Sequence, residues 1–121
     1  MPISESESLV MNVLWQRHPL SAEEIVAALG GSGWQESTIK TLLNRLLTKG
    51  VVAAEKDGRR YLYSPLIERA DYVHVESKDL LDRLFGGRVA PLVAHFSERR
   101  KLTKKDIAEL KRIVEELDNE R

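Results

Sequence analysis

Apolar residues recur at helical spacing through the first third of the chain, then give way to alternation, then return to helical spacing up to the C-terminus. Ser4 and Glu7 have the spacing of a reciprocal capping box, which predicts a first helix from Ser4. Leu9, Val10, Val13 and Leu14 form its apolar stripe, and His18-Pro19 ends it, since proline disfavours helix in the residue before it. Ser21 and Glu24 repeat the box and open a second helix with Ile25 and Leu29 inward. Gly30-Gly31 are expected to stop it in a left-handed conformation. A third helix is predicted from Ser37 to about Lys49, where the periodicity is strongest. Ile39, Leu42, Leu43, Leu46 and Leu47 build a one-sided core face, and Gly50 ends the run.

Alternation then predicts two strands, Val51 to Lys56 and Arg59 to Ser64, joined by Asp57-Gly58, a dipeptide suited to a tight hairpin turn. Tyr61 and Tyr63 share a face and read as packing residues at the root of the hairpin. From Ile67 the chain is helical again. Leu80, Leu81, Leu84 and Phe85 form a stripe that stops at Gly86-Gly87. A short helix covers about Val89 to Glu98 with Leu92, Val93 and Phe96 apolar. Thr103 caps a last helix carrying Ile107, Leu110, Val114 and Leu117. The expected fold is mainly α with a small β-hairpin: a winged helix-turn-helix over residues 1–66, followed by a three-helix dimerisation region over residues 67–121.

Helix, helix, helix, hairpin is the order of a winged helix, in which the second helix of the turn motif enters the DNA major groove. On the third helix Ser37, Thr41, Asn44 and Thr48 fall opposite the leucines, flanked by Thr38, Lys40 and Arg45. Hydroxyls, an amide and cations suit base edges and phosphates; Asn pairs bidentately with adenine, Arg or Lys with guanine, and a threonine methyl can touch the thymine methyl. Arg59 and Arg60 lie at the hairpin, where a wing meets a neighbouring phosphate or minor groove. They would equally protect a sheet edge by charge.

Composition sharpens this picture. The 121 residues carry 19 cations and 19 acids, so the whole chain is no generic polycation. From Ser37 to Arg60, however, Lys40, Arg45, Lys49, Lys56, Arg59 and Arg60 face only Glu55 and Asp57, which concentrates positive charge on the candidate DNA surface. There is no cysteine, which removes disulfides, thiolate metal sites and cysteine nucleophiles and agrees with a reducing cytoplasm. His18, His74 and His95 are scattered, with neither HExxH spacing nor a phosphate loop, so no enzyme, metal or cofactor is expected. Neither a secretory signal nor a membrane-spanning run is visible, and a cytoplasmic protein is expected.

A single module of this kind buries only about 600–1,000 Å² on DNA, which favours a dimer reading two half-sites. Leu81, Leu84, Phe85, Leu92, Val93, Phe96, Leu110, Val114 and Leu117 are the candidate dimerisation residues. The competing reading is a winged-helix protein–protein adaptor that binds no DNA.

Several segments carry a resemblance to a known family. They are Leu9-Val10-Met11-Asn12-Val13-Leu14-Trp15, Ser21-Ala22-Glu23-Glu24-Ile25-Val26 and Ser37-Thr38-Ile39-Lys40-Thr41-Leu42-Leu43-Asn44-Arg45-Leu46. Gly50-Val51-Val52, Arg60-Tyr61-Leu62-Tyr63 and the stretch from Phe85-Gly86-Gly87 to Leu92-Val93-Ala94-His95-Phe96 extend it nearly end to end. The chain resembles the penicillinase-repressor family (BlaI/MecI/CopY-like regulators). The resemblance implies a repressor that binds a palindromic double-stranded DNA operator as a homodimer through its C-terminal helices. It implies control of β-lactamase or related antibiotic-resistance genes. It also implies a membrane sensor with a cytoplasmic metalloprotease domain as partner, and a regulatory cut before a phenylalanine, which would fall at His95-Phe96. His95 stands where that branch has Asn. The paired Cys-X-Cys sites of the copper-responsive branch are absent, and Gln35 stands where a Ser cap is common.

Overall fold

The computed structural model describes residues 3–120; Met1 and Pro2 of the expected DNA-binding part and Arg121 of the expected dimerisation part lie outside the described residues. In order, the elements are α1 (Glu5–Gln16), β1 (Leu20–Ser21), α2 (Ala22–Ala28), a 3₁₀ turn (Gly30–Ser32), α3 (Glu36–Thr48), β2 (Val52–Asp57), β3 (Arg60–Pro65), α4 (Arg69–Leu84), α5 (Val89–Glu98) and α6 (Lys104–Asn119). The fold is mainly helical with one small antiparallel sheet, as the pattern predicts.

Both N-terminal capping boxes form. Glu7 N donates to Ser4 Oγ at 3.1 Å and Ser4 N to Glu7 Oε1 at 2.8 Å; Glu24 N donates to Ser21 Oγ at 3.2 Å and Ser21 N to Glu24 Oε1 at 3.0 Å. The backbone and hydroxyl donors of Ser21 hold the Glu24 carboxyl below its usual range, with Arg60 and Arg17 adding attraction. In α1 the buried positions are Glu7, Val10, Met11 and Leu14, so Val10 and Leu14 of the expected stripe are inward while Leu9 and Val13 are not fully so. Glu7 and Met11 complete the inward face one turn apart; Leu9 is left exposed and Val13 half-buried.

Gly30 and Gly31 do not stop α2 in a left-handed conformation. They continue it as the 3₁₀ turn, and the left-handed residue is Gly33 with φ 81°. The hairpin is shifted by one residue from expectation. Asp57 pairs with Arg60, so the two loop residues are Gly58 and Arg59, and only Gly58, at φ 64°, is left-handed. Glycine at the first central position is the requirement of a II′ turn. Arg59 therefore sits at the tip of the wing, not in a strand.

A third strand escapes the sequence pattern. Leu20 and Ser21 pair with Tyr63 and Leu62, which makes β3 the central strand in the order β1-β3-β2. The core consists of Val10, Met11, Leu14, Leu20, Ile25, Ile39, Leu42, Leu43, Leu46, Val51 and Val52. Tyr63 packs against it, whereas Tyr61 is exposed and is not a packing residue. Two contacts tie the chain beyond β3 back to α1: Trp15 Nε1 donates to Ile67 O at 2.9 Å, and the Trp15 and Tyr72 rings lie 5.3 Å apart.

The chain divides into two compact units, the first ending at Val73 and the second running from His74 to Arg121. The break falls inside α4, seven residues after the end expected from sequence. Ile67 and Tyr72, both packed on Trp15, explain why the first unit keeps them. The second unit contrasts with the first: among the described residues, none in α4, α5 or α6 is buried.

Candidate nucleic-acid interface

The third helix is held by its apolar side and offers the other. Ile39, Leu42, Leu43 and Leu46 are buried, whereas Ser37, Thr38, Lys40, Thr41, Asn44, Arg45 and Thr48 are all exposed. At about 100° per residue, Ser37, Thr41, Asn44 and Thr48 form the crest of this outer face. Lys40 borders one edge, and Thr38 and Arg45 border the other.

The polar groups differ in what they have left to give. Thr41 Oγ1 donates to Ser37 O at 2.9 Å and Thr48 Oγ1 to Asn44 O at 3.0 Å, the back-bonding that helical threonines often adopt. Those two hydroxyls retain only acceptor lone pairs for an outside partner. Lys40 Nζ lies 3.0 Å from Glu36 Oε1; that hydrogen bond, reinforced by the carboxylate's charge, raises the lysine above its ordinary range. Arg60 lies 3.5 Å from Asp57. Arg45 and Arg59 make no ion pair among the described residues.

Four of the expected DNA contacts converge. Lys40 and Asn44 from α3 line one groove with Arg59 and Arg60 from the wing, enclosing about 290 Å³. Ser37, Thr38, Thr41, Arg45 and Thr48 do not line it; they form the open ridge beside it. Ala22, Glu23, Leu43, Tyr61 and Tyr63 line it as well, outside the expected DNA contacts; of these Glu23 and Tyr61 are the exposed polar ones. Strand alternation places Tyr61 on the same face as Tyr63, nearer the wing tip, whereas no sequence signal marks Glu23.

Lys49, counted from sequence among the cations of this segment, is turned away from it. Its Nζ donates to Glu7 Oε1, joining the end of α3 to the start of α1. Glu7 is 1% exposed, and its Oε2 has no partner among the described residues. Burial works to raise this carboxyl. The Lys49 ammonium and the Ser4 backbone and hydroxyl donors together outweigh burial and hold it below its usual value.

In the second unit, Leu81, Phe85, Leu92, Val93 and Leu110 are half-buried, and Leu84, Phe96, Val114 and Leu117 are exposed, Leu84 by 62%. Ile113, which stands outside the stripe expected from sequence, is exposed as well and lies three residues after Leu110. The His95-Phe96 bond is inside α5, with the His95 ring 6.1 Å from Phe85 and 5.2 Å from Phe96.

An amphipathic helix seated by its leucines beside a basic two-stranded wing defines a winged-helix DNA-binding regulator. The sequence profile of the penicillinase repressor family matches residues 3–116. The penicillinase repressor of Bacillus licheniformis is 36% identical over 118 residues, 97% of this chain and 92% of that one. The methicillin resistance regulatory protein MecI of Staphylococcus aureus (strain N315) is 33% identical over 113 residues, covering 93% and 92%. The solution structure of the monomeric form of Bacillus licheniformis BlaI in complex with the blaP half-operator matches with TM-score 0.53 and 36% identity, over 60% of this chain and 89% of that one. The chain belongs to the penicillinase repressor family, which consists of transcriptional repressors and not enzymes. Among the described residues, no helix is long and apolar enough to cross a membrane.

Proposed function

We propose that this protein represses transcription in the cytoplasm by binding a palindromic promoter operator as a homodimer, with β-lactamase or related resistance genes as its targets. The reading rests on one observation: the exposed α3 face adjoins a groove that gathers Lys40, Asn44, Arg59 and Arg60 from helix and wing. The BlaI structure in complex with a half-operator supports it, because that DNA-bound chain is 36% identical to this one over 60% of this chain's length. Asn44 and the cations supply the base-edge and phosphate donors, and Arg45 on the helix and Arg59 on the wing make no ion pair among the described residues that a phosphate would have to displace. The exposed apolar residues of α4, α5 and α6 support dimerisation through residues 67–121, since a symmetric copy would bury them.

A salt titration of operator binding tests this reading. Affinity should fall steeply with rising salt, with a slope set by the phosphates contacted. A protein–protein adaptor would give no shift at any salt. Arg45→Ala should weaken operator binding by about 1–3 kcal/mol, roughly tenfold to a hundredfold, while leaving the dimer intact. Unchanged affinity in that variant would place the groove-facing side elsewhere.

A membrane sensor with a cytoplasmic metalloprotease domain is the proposed source of derepression, by a cut at His95-Phe96. Both residues are exposed, but the bond is helical, so α5 must unwind for a protease to hold it extended. Incubation with such a sensor domain should give fragments ending at His95 and starting at Phe96. An intact chain after operator release would exclude the cut.

A further inference from the structure

An unengaged acid stands in the groove where cations gather for DNA. Glu23 lies in the first turn of α2, is exposed, and lines that groove together with Lys40, Asn44, Arg59 and Arg60. Its acidic neighbours already have work within the fold. Glu24 closes the capping box with Ser21, Glu36 lies 3.0 Å from Lys40, and Asp57 lies 3.5 Å from Arg60. The Glu23 carboxylate makes no ion pair among the described residues. A first-turn acid suits the helix dipole, but that explains neither the groove nor the company of four donors.

An ionised carboxylate accepts hydrogen bonds and donates none. Phosphate oxygens only accept too, so nothing on a DNA backbone satisfies Glu23. In the major groove the donors are the exocyclic amino groups of cytosine and adenine. Adenine N6 sits beside N7, whose lone pair repels the second carboxylate oxygen, whereas cytosine N4 sits beside a C–H. Cytosine is therefore the better match. The guanine paired with it presents O6 and N7, two acceptors that suit an ammonium. Lys40 supplies that ammonium from the same groove. Its charge is sustained first by the hydrogen bond to Glu36 and that carboxylate's charge, and then, against burial, by the charge of Glu23. The exposed Lys40–Glu36 pair is weak enough for the ammonium to be shared with a base.

We propose that Glu23 is a specificity-determining residue, accepting a hydrogen bond from N4 of a cytosine whose paired guanine faces Lys40. This rests on the operator-binding reading above and adds a base preference to it. An acid and a cation in one groove match the two edges of a C·G pair, donor to carboxylate and acceptors to ammonium. On DNA with no amino group at that place, the Glu23 charge faces acceptors and phosphate without compensation. The residue therefore rejects wrong sequences as well as favouring the right one.

Selection of binding sites from random-sequence duplexes, by the full-length parent and by Glu23→Ala, tests this. The parent should enrich sites with a fixed C·G pair. The variant should lose the preference at that one pair, by about tenfold, and keep its other preferences. Circular dichroism controls for its folding. A second measurement needs no variant: replacing that cytosine by deoxy-pyrimidin-2-one, which lacks the amino group, should weaken parent binding by a similar factor. Glu23→Ala should bind both duplexes alike. Identical base preferences in parent and variant would overturn the proposal. So would a uniform rise in the variant's affinity on every sequence, which would reduce Glu23 to a repelling charge. A parent that enriches no sequence at all would overturn the operator reading itself, and this proposal with it.

Discussion

Ending the chain at Val73 should yield a folded monomer whose operator affinity is lower by two orders of magnitude or more. Among the described residues, all the fully buried apolar ones belong to the first unit, so its core survives the cut. The cut keeps Ile67 and Tyr72 on Trp15, contacts that a chain ending at Ser64 would lose. The truncated chain loses every exposed apolar helix face of the second unit, and with it the second half-site contact that the proposed dimer would make. Joining two such modules multiplies affinity by about 10²–10⁴ through effective concentration alone. Sedimentation equilibrium and gel-shift titration check the two halves of this expectation. A dimeric truncation, or one binding as tightly as the full chain, would contradict the division of labour.

Lys49→Met should destabilise the protein at neutral pH by about 3 kcal/mol, because removing one member of a buried ion pair leaves the other charge uncompensated. The stranded group is Glu7, already short of a partner at Oε2. Glu7→Gln should cost less, since Lys49 is only partly buried and can turn to water. The pH dependence has a definite sign. In the parent the folded-state Glu7 titrates below its unfolded value, so its contribution is present above about pH 4.3 and is lost as pH falls through the folded value. In Lys49→Met the carboxylate lacks its ammonium and takes up a proton more readily, so the gap between variant and parent narrows in acid. Chemical denaturation at pH 7 and pH 4 measures both; a gap that widens in acid would refute the assignment.

The same pair shows where sequence reasoning stops. Glu7 is legible as a capping residue, because Ser-x-x-Glu is a local signal. Its burial under Lys49 spans 42 positions and leaves no local trace. Helices with regular apolar spacing are readable to within a residue or two, and so is the outer face of α3. The two-residue strand β1 is not, since two residues hold no period and its pairing partner lies some 40 positions away. The hairpin slips by one because Asp57-Gly58 marks a turn without fixing which residue pairs across it; the ladder settles that with Asp57 opposite Arg60. Of the candidate site, the residue types are legible, but not the pairing of Lys40 with Glu36 or the intrusion of Glu23 into the groove.

The hydroxyl protons of Thr41 and Thr48 are spent on carbonyls one turn back, so at those two positions the crest of α3 offers a methyl group and acceptor lone pairs but no donor. Threonine methyls so placed, laid in a major groove, can register a methyl at position 5 of a pyrimidine. 5-Methylcytosine presents the same bulge there as thymine, and an epigenetic mark on the operator would be felt by this helix as a change of letter.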